Sequence, residues 1–303
     1  MGYLLLVSLI WAFPFGLVGE LLKAGGVHLD ALPVLRLGLA LLVFLPLARI
    51  GSVATTTRWR LLVIGGVQYG LMYVLLFNAF HFLPAWQVAL FTVFTPFYVA
   101  GIFDTLERRF DRGRFALALM AAVGAGVVVL QPGTALLTEG DASLAIGFAL
   151  MQACNLCFAA GQVAYKRLRQ HHAHLEDGGI YALVYLGAVA VSGVYALATW
   201  GLGTELIRPA LIDAEGVWIL LYLGVVSSGL CFFWWNRGAT QVGPVTLAVF
   251  NNLKVPVSVA GTLLLFELGE GAQRPDPVRL LIGGALVVAA LVLAERKSAK
   301  AAA

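Results

Sequence analysis

Charged residues are scarce in this sequence. Asp, Glu, Lys and Arg make up 12% of the 303 residues, against roughly 25% in a soluble globular domain. Hydrophobic residues reach 60%, and the mean hydropathy is +0.89. The shortage of charge excludes a chain whose surface faces water throughout, and it indicates a protein that lies largely within a lipid bilayer.

Other absences exclude further classes of function. The sequence contains no G-x-x-x-x-G-K-[ST] motif, so no ATP-driven pump of the P-loop type is expected. No pair of carboxylates, no histidine pair and no nucleophile motif falls within the apolar segments, and an enzyme is therefore not predicted. No secretory signal pattern precedes the first apolar segment, which we expect to be a retained helix.

Ten apolar segments are long enough to cross a bilayer as α-helices, which need about 20 mostly apolar residues each. They cover residues 3–22, 32–50, 61–80, 84–103, 114–131, 143–165, 179–200, 217–236, 244–266 and 278–294. Most of the 20 Lys and Arg residues fall on one side of the membrane if both termini are cytoplasmic, as the positive-inside rule expects. The basic excess is therefore a topology signal for an inner-membrane protein, and no nucleic-acid partner is expected.

The cysteine and histidine clusters favour structural roles. Cys154 and Cys157 form a C-x-x-C pair inside an apolar segment, where cysteine usually packs as a small inert residue; a redox or metal pair is the alternative. His171, His172 and His174 lie in a short charged loop, where solvated side chains are expected and metal binding is the alternative. We predict no metal site and no cofactor.

An internal repeat runs through the chain. Five residues recur with a constant separation of 160 positions: Pro84, Pro96, Ala100, Gly101 and Glu107 return as Pro244, Pro256, Ala260, Gly261 and Glu267. Spans three to five thus correspond to spans eight to ten, which predicts two five-helix halves, 1–135 and 140–303. Because five is an odd number, the second half enters the membrane from the opposite side, as in the inverted repeats of alternating-access transporters.

The chain resembles the EamA branch of the drug/metabolite transporter superfamily. Residues 90–107 and their copy 250–267 carry the resemblance, which extends over essentially the whole chain. It implies an all-α membrane protein with ten transmembrane helices that works as a secondary transporter and exports amino acids or other small carboxylate-bearing metabolites. Relatives that move drugs, sugars or nucleotide sugars make a transporter of those substrates the alternative.

Lys254 is the residue on which the predicted binding site depends. It lies near the middle of the ninth apolar segment, where a cation costs roughly 2.5–3.5 kcal/mol on insertion scales and usually faces a cavity or a transport path. Asn251 and Ser258 share its helical face, so we expect a polar, cationic wall that binds an acidic group. A structural ion pair with Glu20 or Asp104 is the alternative.

An aromatic wall is expected opposite Lys254, because the repeat pairs Phe94 with Lys254. Such a wall suits the apolar part of an amino acid or carboxylate metabolite, whereas Lys254 would repel a cationic drug. The predicted substrate-binding residues besides Lys254, Asn251 and Ser258 are Phe91, Phe94, Tyr98, Tyr69, Tyr73, Trp11, Asn155 and Trp235. The polar residues of this set have an alternative role in contacts between helices. The alternative role of Trp11 is anchoring at the membrane interface.

Two prolines and a few titratable residues bear on the mechanism. Pro96 and Pro256 lie within apolar segments, where proline removes a backbone hydrogen bond and permits bending. They are hinge candidates, with an inherited packing kink as the alternative. A change in the protonation of Lys254 on substrate binding would couple transport to protons, and His81 and Glu20 are further proton-carrying candidates.

Arg36 and the small residues of spans five and ten each leave two interpretations open. Arg36 lies near the start of the second apolar segment, within reach of the outer interface, which favours an anchoring or structural role over a functional one. Small residues at four-residue spacing permit close helix contact, either inside the protein or in a homodimer. They are Ala118, Ala122, Gly126, Ala285 and Ala289.

Overall fold

The apolar segments of this chain form helices, as a bilayer interior requires, because a helix pairs its own backbone N–H and C=O groups. The regular elements of the described chain are helical, so the predicted all-α class is confirmed. The computed structural model describes residues 1–11, 14, 17, 27–130, 142–200, 214–265 and 276–302, without the side chains of residues 52, 85, 86, 200, 258–265 and 299–302.

The helices of the described chain range from single turns to rods that could cross a membrane. The α-helices are α1 (Gly2–Ile10), α2 (Leu32–Phe44), α3 (Thr55–Gly65), α4 (Met72–Ala79), α5 (Ala85–Phe91), α6 (Thr95–Glu107), α7 (Arg112–Val129), α8 (Ala142–His171), α9 (Asp177–Trp200), α10 (Ala214–Leu221), α11 (Cys231–Gln241), α12 (Pro244–Leu265) and α13 (Pro277–Ala302). The 3₁₀ turns are Leu29–Ala31, Leu45–Leu47, Ile50–Ser52 and Thr92–Phe94, and the π-helical segments are Gly66–Leu71 and Tyr222–Leu230.

Most of the predicted spans have a counterpart in the structure. Within the described chain, eight helical segments are long and apolar enough to cross a membrane: Leu29–Leu47, Thr55–Ala79, Gln87–Glu107, Arg112–Val129, Ala142–His171, Asp177–Thr199, Ala214–Gln241 and Pro277–Ser298. They correspond to predicted spans two to eight and ten, and α12 corresponds to span nine. Part of span one lies outside the described residues, as does the boundary between the predicted halves, so the ten-helix count and the two-half division stay predictions.

The two π-helical segments occupy corresponding places in the chain. Gly66–Leu71 joins α3 to α4 within predicted span three, and Tyr222–Leu230 joins α10 to α11 within predicted span eight. A π-turn inserts an extra residue into the helix and is frequent at functional sites. The repeat of spans three and eight and its inverted orientation stay predictions.

Helices α7 and α13 pack against each other through glycine. A Cβ atom added to Gly124 would lie 2.7 Å from the carbonyl oxygen of Gly283, so the backbones touch. On span ten the predicted residue Ala285 is exposed, which excludes the internal contact for this residue but not a contact between two copies. The buried face of α13 lies one helical step away and is formed by Gly283, Val287, Ala290 and Ala294. The close contact is internal, and the predicted homodimer stays a prediction.

Replacing Gly283 with Ala is expected to destabilise the protein by roughly 1–3 kcal/mol, the usual effect of overpacking, because the new methyl group would meet the Gly124 carbonyl. Gly284→Ala is the matched control, since its Cβ would come no closer than 3.7 Å to Pro256. Alanine favours a helix by about 1 kcal/mol over glycine, so this control should melt no earlier than the parent protein. Thermal unfolding in one detergent compares the two variants, and equal melting temperatures would contradict the prediction.

A buried ion cluster fixes the loop between α6 and α7. The guanidinium group of Arg114 donates to Asp104 at 2.8 Å and to Glu107 at 2.7 Å, while Asp111 caps α7 by accepting from the Arg114 backbone N–H at 3.0 Å. Lys297 on α13 donates to the same Asp111 carboxylate. Asp104 therefore pairs with Arg114, which corrects the alternative of an ion pair between Asp104 and Lys254.

Candidate functional site

A cavity of about 120 Å³ lies inside the bundle, where helices from both predicted halves meet. Most of its described wall is aromatic or aliphatic, and the charged residues in that wall are two cations, Arg36 and Lys254. The lining residues are Trp11, Pro14, Arg36, Met72, Tyr73, Leu76, Phe77, Phe80, Thr92, Thr95, Cys154, Asn155, Phe158, Ser227, Phe232 and Lys254. The described wall of this apolar cavity carries two basic side chains and no carboxylate. Such a cavity suits an anionic amphiphile.

Lys254 extends from α12 into this cavity. Its Nζ atom lies 5.7 Å from the ring centre of Trp11 and 5.9 Å from that of Phe158, distances at which a cation is attracted to an aromatic ring. Among the described residues no carboxylate pairs with Lys254, and Glu20 lies outside them. The ammonium group is therefore held by aromatic rings and is available to an acidic ligand.

Arg36 is a second cation in the same cavity. Its side chain is only 4% exposed, with Nε donating to Ser228 Oγ at 3.0 Å and Nη2 donating to Ser227 Oγ at 3.2 Å. The guanidinium carbon lies 4.8 Å from the ring centre of Tyr73. Of the anchoring or structural role that the sequence favoured, interfacial anchoring is wrong, because the side chain turns inward to the π-helical segment Tyr222–Leu230.

Four of the predicted binding residues line the cavity: Trp11, Tyr73, Asn155 and Lys254. Trp11 donates from Nε1 to the Ser227 carbonyl at 3.0 Å, so it is held deep in the bundle and does not anchor at the interface. The Tyr73 hydroxyl lies 3.0 Å from Ser228 Oγ, which places it in the same polar group as Arg36.

The three aromatic residues predicted on span four do not line the cavity. Phe94 is 37% exposed and packs on Phe148, Phe91 packs on the same ring, and the Tyr98 hydroxyl donates to Gln152 Oε1 at 3.2 Å. The prediction assumed one continuous α-helix, but the 3₁₀ turn Thr92–Phe94 rotates the chain. The face that reaches the cavity carries Thr92 and Thr95 instead.

Pro96 explains why span four breaks at that point. It is in the first turn of α6, directly after the 3₁₀ turn, and it has no N–H to donate to the carbonyl four residues earlier. That carbonyl, of Thr92, accepts from Thr95 Oγ1 at 2.7 Å instead. Asn155 of α8 stabilises the interrupted helix by donating to the Phe91 carbonyl at 2.7 Å. A Thr-x-x-Thr-Pro pattern was the sequence signal that could have predicted the turn.

The remaining predicted residues stand behind the cavity wall. Tyr69 bonds to the Tyr181 hydroxyl at 2.8 Å, and Trp235 donates to Gln162 Oε1 at 3.0 Å. Gln162 in turn donates to Asn251 Oδ1 at 3.3 Å, and all these side chains are buried. They support the wall and do not line the cavity in this conformation, contrary to the prediction.

Three further predicted residues are placed differently or lie beyond what the structure describes. Pro256 lies inside the continuous helix α12, so the two prolines of the repeat occupy different local structures. His81 lies at an exposed site 3.1 Å from Asp30 Oδ1 and does not line the cavity. The side chain of Ser258 lies outside the described residues.

Relatives of known name match the chain over nearly its whole length. A protein of Pseudomonas aeruginosa named "Probable biotin transporter" is 40% identical over 293 residues, which are 96% of this chain and 96% of that protein. The chain belongs to the family of that transporter. The biotin transporter of Escherichia coli strain K12 is 37% identical over 299 residues, which are 98% of this chain and 93% of that protein.

More distant comparisons give one further relative that is named as an exporter, and one solved structure with the same fold. The pseudopaline exporter CntI of Pseudomonas aeruginosa is 25% identical over 96% of this chain and 96% of that protein. A solved crystal structure with 18% sequence identity covers 97% of both chains at a TM-score of 0.68, which shows a shared fold. No family model matches, so the resemblance to the EamA branch stays a prediction.

The protein is thus a multi-pass membrane transporter for a small molecule and not an enzyme. Its membrane character rests on the apolar helices of the described chain, and its transport function on the named relatives. The predicted transporter class is confirmed. None of the named relatives given above is an amino-acid exporter, so that part of the prediction finds no support.

Proposed function

We propose that this transporter carries biotin, and that the cavity around Lys254 and Arg36 is its binding site. Two relatives that are 40% and 37% identical bear the name of biotin transporter. The observation in the chain itself that carries the proposal is Lys254, a cation without a carboxylate partner among the described residues, set against two aromatic rings. Biotin belongs to the small carboxylate-bearing metabolites that were predicted beside amino acids, and it takes the place of the amino acids.

The chemistry of biotin matches the lining. Biotin has a carboxylate at the end of an aliphatic chain, a thioether ring and a ureido group that both donates and accepts hydrogen bonds. Lys254 is assigned to the carboxylate, because a charge-assisted hydrogen bond is about twice as strong as a neutral one. The aliphatic chain and the thioether ring would pack on Phe158 and Phe232, and Thr92 and Arg36 would meet the ureido group.

The transport cycle follows from the predicted repeat. The halves 1–135 and 140–303 would rock about the cavity and open it alternately to either side, with the broken helix at Pro96 and the proline of α12 at Pro256 as hinges. Energy would come from a proton gradient, with Lys254 as the group that couples proton and substrate. We place the protein in the inner membrane with both termini in the cytoplasm, as the distribution of Lys and Arg indicates.

Transport of radiolabelled biotin by the purified protein in proteoliposomes tests the proposal. Vesicles with the label inside and vesicles with the label outside, each with and without an imposed pH gradient, also test the predicted export direction and the proton coupling. We expect unlabelled biotin to abolish the signal, and leucine, glucose and a cationic dye to leave it unchanged. Inhibition by leucine as strong as that by biotin would overturn the proposed substrate.

A further inference from the structure

A second groove lies away from the cavity, on the outer surface between α3 and α8. It encloses about 540 Å³, and its α3 side is open, since Trp59 is 65% exposed and Val63 is 61% exposed. The groove therefore faces the lipid on the side of the bundle where α3 begins and α8 ends. It shares no residue with the cavity around Lys254.

Both walls of the groove change from cationic to apolar in the same direction. On α3, Arg60 lies near the start of the helix and Val63 lies one turn deeper; on α8, Arg167 lies near the end of the helix and Ala164 lies one turn deeper. Each arginine is only a few residues from the nearby helix end, which is about 6–8 Å at 1.5 Å per residue. The two arginines thus line one groove near the ends of their helices, with apolar residues one turn deeper on each helix.

These two arginines differ from their basic neighbours, which have partners within the fold. Arg58 donates to the Val53 carbonyl at 2.7 Å, Lys166 donates to the Val242 carbonyl at 2.7 Å, and Arg169 pairs with Asp177 at 2.7 Å. Over the part of the chain that the structure describes, no carboxylate pairs with Arg60 or Arg167. Two cations that line one largely apolar groove on the outer surface call for an anionic, amphiphilic ligand.

We propose that this groove binds an anionic phospholipid of the cytoplasmic leaflet. Its phosphate would lie between Arg60 and Arg167, and an acyl chain would run along Val63 and Ala164. Charge complementarity carries the assignment: the groove lies on the side that the positive-inside pattern makes cytoplasmic, where basic pockets between helices hold anionic headgroups. The exposed Trp59 fits the interfacial depth at which Trp side chains are enriched. The proposal does not depend on the identity of the transported substrate.

Native mass spectrometry of the full chain in detergent, titrated with phosphatidylglycerol or phosphatidylcholine, tests this site. The double variant Arg60→Gln/Arg167→Gln is compared with Arg112→Gln/Arg296→Gln, which removes the same charge from exposed positions of the same predicted side. We expect the parent protein and the control to bind phosphatidylglycerol at least 10-fold more tightly than phosphatidylcholine. The Arg60/Arg167 variant should lose that preference while keeping its melting temperature.

Three outcomes would overturn the proposal. Equal loss of phosphatidylglycerol binding in both double variants would mean that net charge alone attracts the lipid. Equal binding of the two lipids by the parent protein would make the groove an ordinary lipid contact. Stabilisation of the parent protein by inorganic phosphate as large as that by phosphatidylglycerol would assign the arginines to a free anion. A variant that fails to fold is replaced by Arg60→Lys/Arg167→Lys, which should retain the preference for the anionic lipid.

Discussion

Replacing Lys254 with Gln is expected to abolish the preference of this transporter for biotin over biotinamide. Biotinamide keeps the ring system and the aliphatic chain but has a neutral amide in place of the carboxylate. If Lys254 binds the carboxylate, the parent protein should transport biotin far better than the amide. The variant should transport the two at similar, low rates, because its side chain no longer distinguishes an anion from an amide.

The size of the effect follows from the strength of the contact. A hydrogen bond to a charged group contributes about 1.5–3 kcal/mol, and every 1.4 kcal/mol is a factor of about ten in affinity. Lys254→Gln should therefore reduce biotin transport by about 10- to 100-fold, measured as kcat/KM with radiolabelled substrate in proteoliposomes. If Lys254 also carries the coupling proton, the residual transport should lose its dependence on an imposed pH gradient. A variant whose transport still depends on the pH gradient would contradict the role of Lys254 in proton coupling, but not its role in binding the carboxylate.

A second buried lysine serves as the matched control. Lys166 donates to the backbone carbonyls of Ala239 at 2.8 Å and Val242 at 2.7 Å, so it caps the end of α11 and does not line the cavity. Lys166→Gln should lower the melting temperature and leave the ratio of biotin to biotinamide transport unchanged. If both lysine variants change that ratio equally, Lys254 is not the carboxylate-binding group.

The ninth predicted span shows how much of this protein can be inferred from its sequence. Apolar length and a single central cation predicted a helix and a cavity residue, and the structure has α12 over this segment with Lys254 in the cavity wall. A bilayer favours both features. The same logic located the other spans that the structure describes to within several residues. These inferences depend on the lipid bilayer, which every membrane-spanning segment has to match in length and polarity. Because each segment meets these requirements by itself, its own sequence is enough to predict it.

The aromatic wall shows where such inference stops. Phe91, Phe94 and Tyr98 share a face only on an uninterrupted α-helix, and the turn at Thr92–Phe94 depends on Thr95 and on Asn155 from another helix. For Arg36 the sequence favoured an anchoring or structural role, because the residue lies near the start of an apolar segment. Its inward direction depends on hydroxyl groups 191 and 192 positions away in sequence. A helical period contains neither outcome: the local Thr-x-x-Thr-Pro pattern is the signal for the turn, whereas contacts with a distant segment decide the direction of Arg36.

We expect Arg36 to be a functional residue and Arg114, which is buried to the same extent, to be a structural one. Arg36 and Arg114 are 4% and 5% exposed, but Arg114 pairs with the carboxylates of Asp104 and Glu107. Arg36 contacts two serine hydroxyls and an aromatic ring, and no acidic residue pairs with it in the described chain. The comparison of these two positions separates a cation that holds the fold together from one that serves a ligand.

Arg114→Met is expected to destabilise the protein by about 3–5 kcal/mol, the usual effect of removing one partner of a buried ion pair, because it leaves two carboxylates without their cation. Arg36→Met removes a buried charge that has no ion-pair partner, so the melting temperature should stay unchanged or rise. Transport should nevertheless fall by at least about 10-fold, since the cavity loses a charged hydrogen-bond donor. Thermal unfolding and transport assays on both variants in the same membranes measure the two effects.

The Arg36→Met substitution should reduce the transport of biotin and of biotinamide alike, because we assign Arg36 to the ureido group that both molecules carry. This distinguishes it from Lys254→Gln, which should affect mainly the molecule with the carboxylate. Arg36→Lys keeps a positive charge but lacks the planar fork that reaches Ser227 and Ser228 together, so it should restore transport only in part. An Arg36→Met variant that unfolds as readily as Arg114→Met, or one that transports biotin normally, would make Arg36 a structural residue after all.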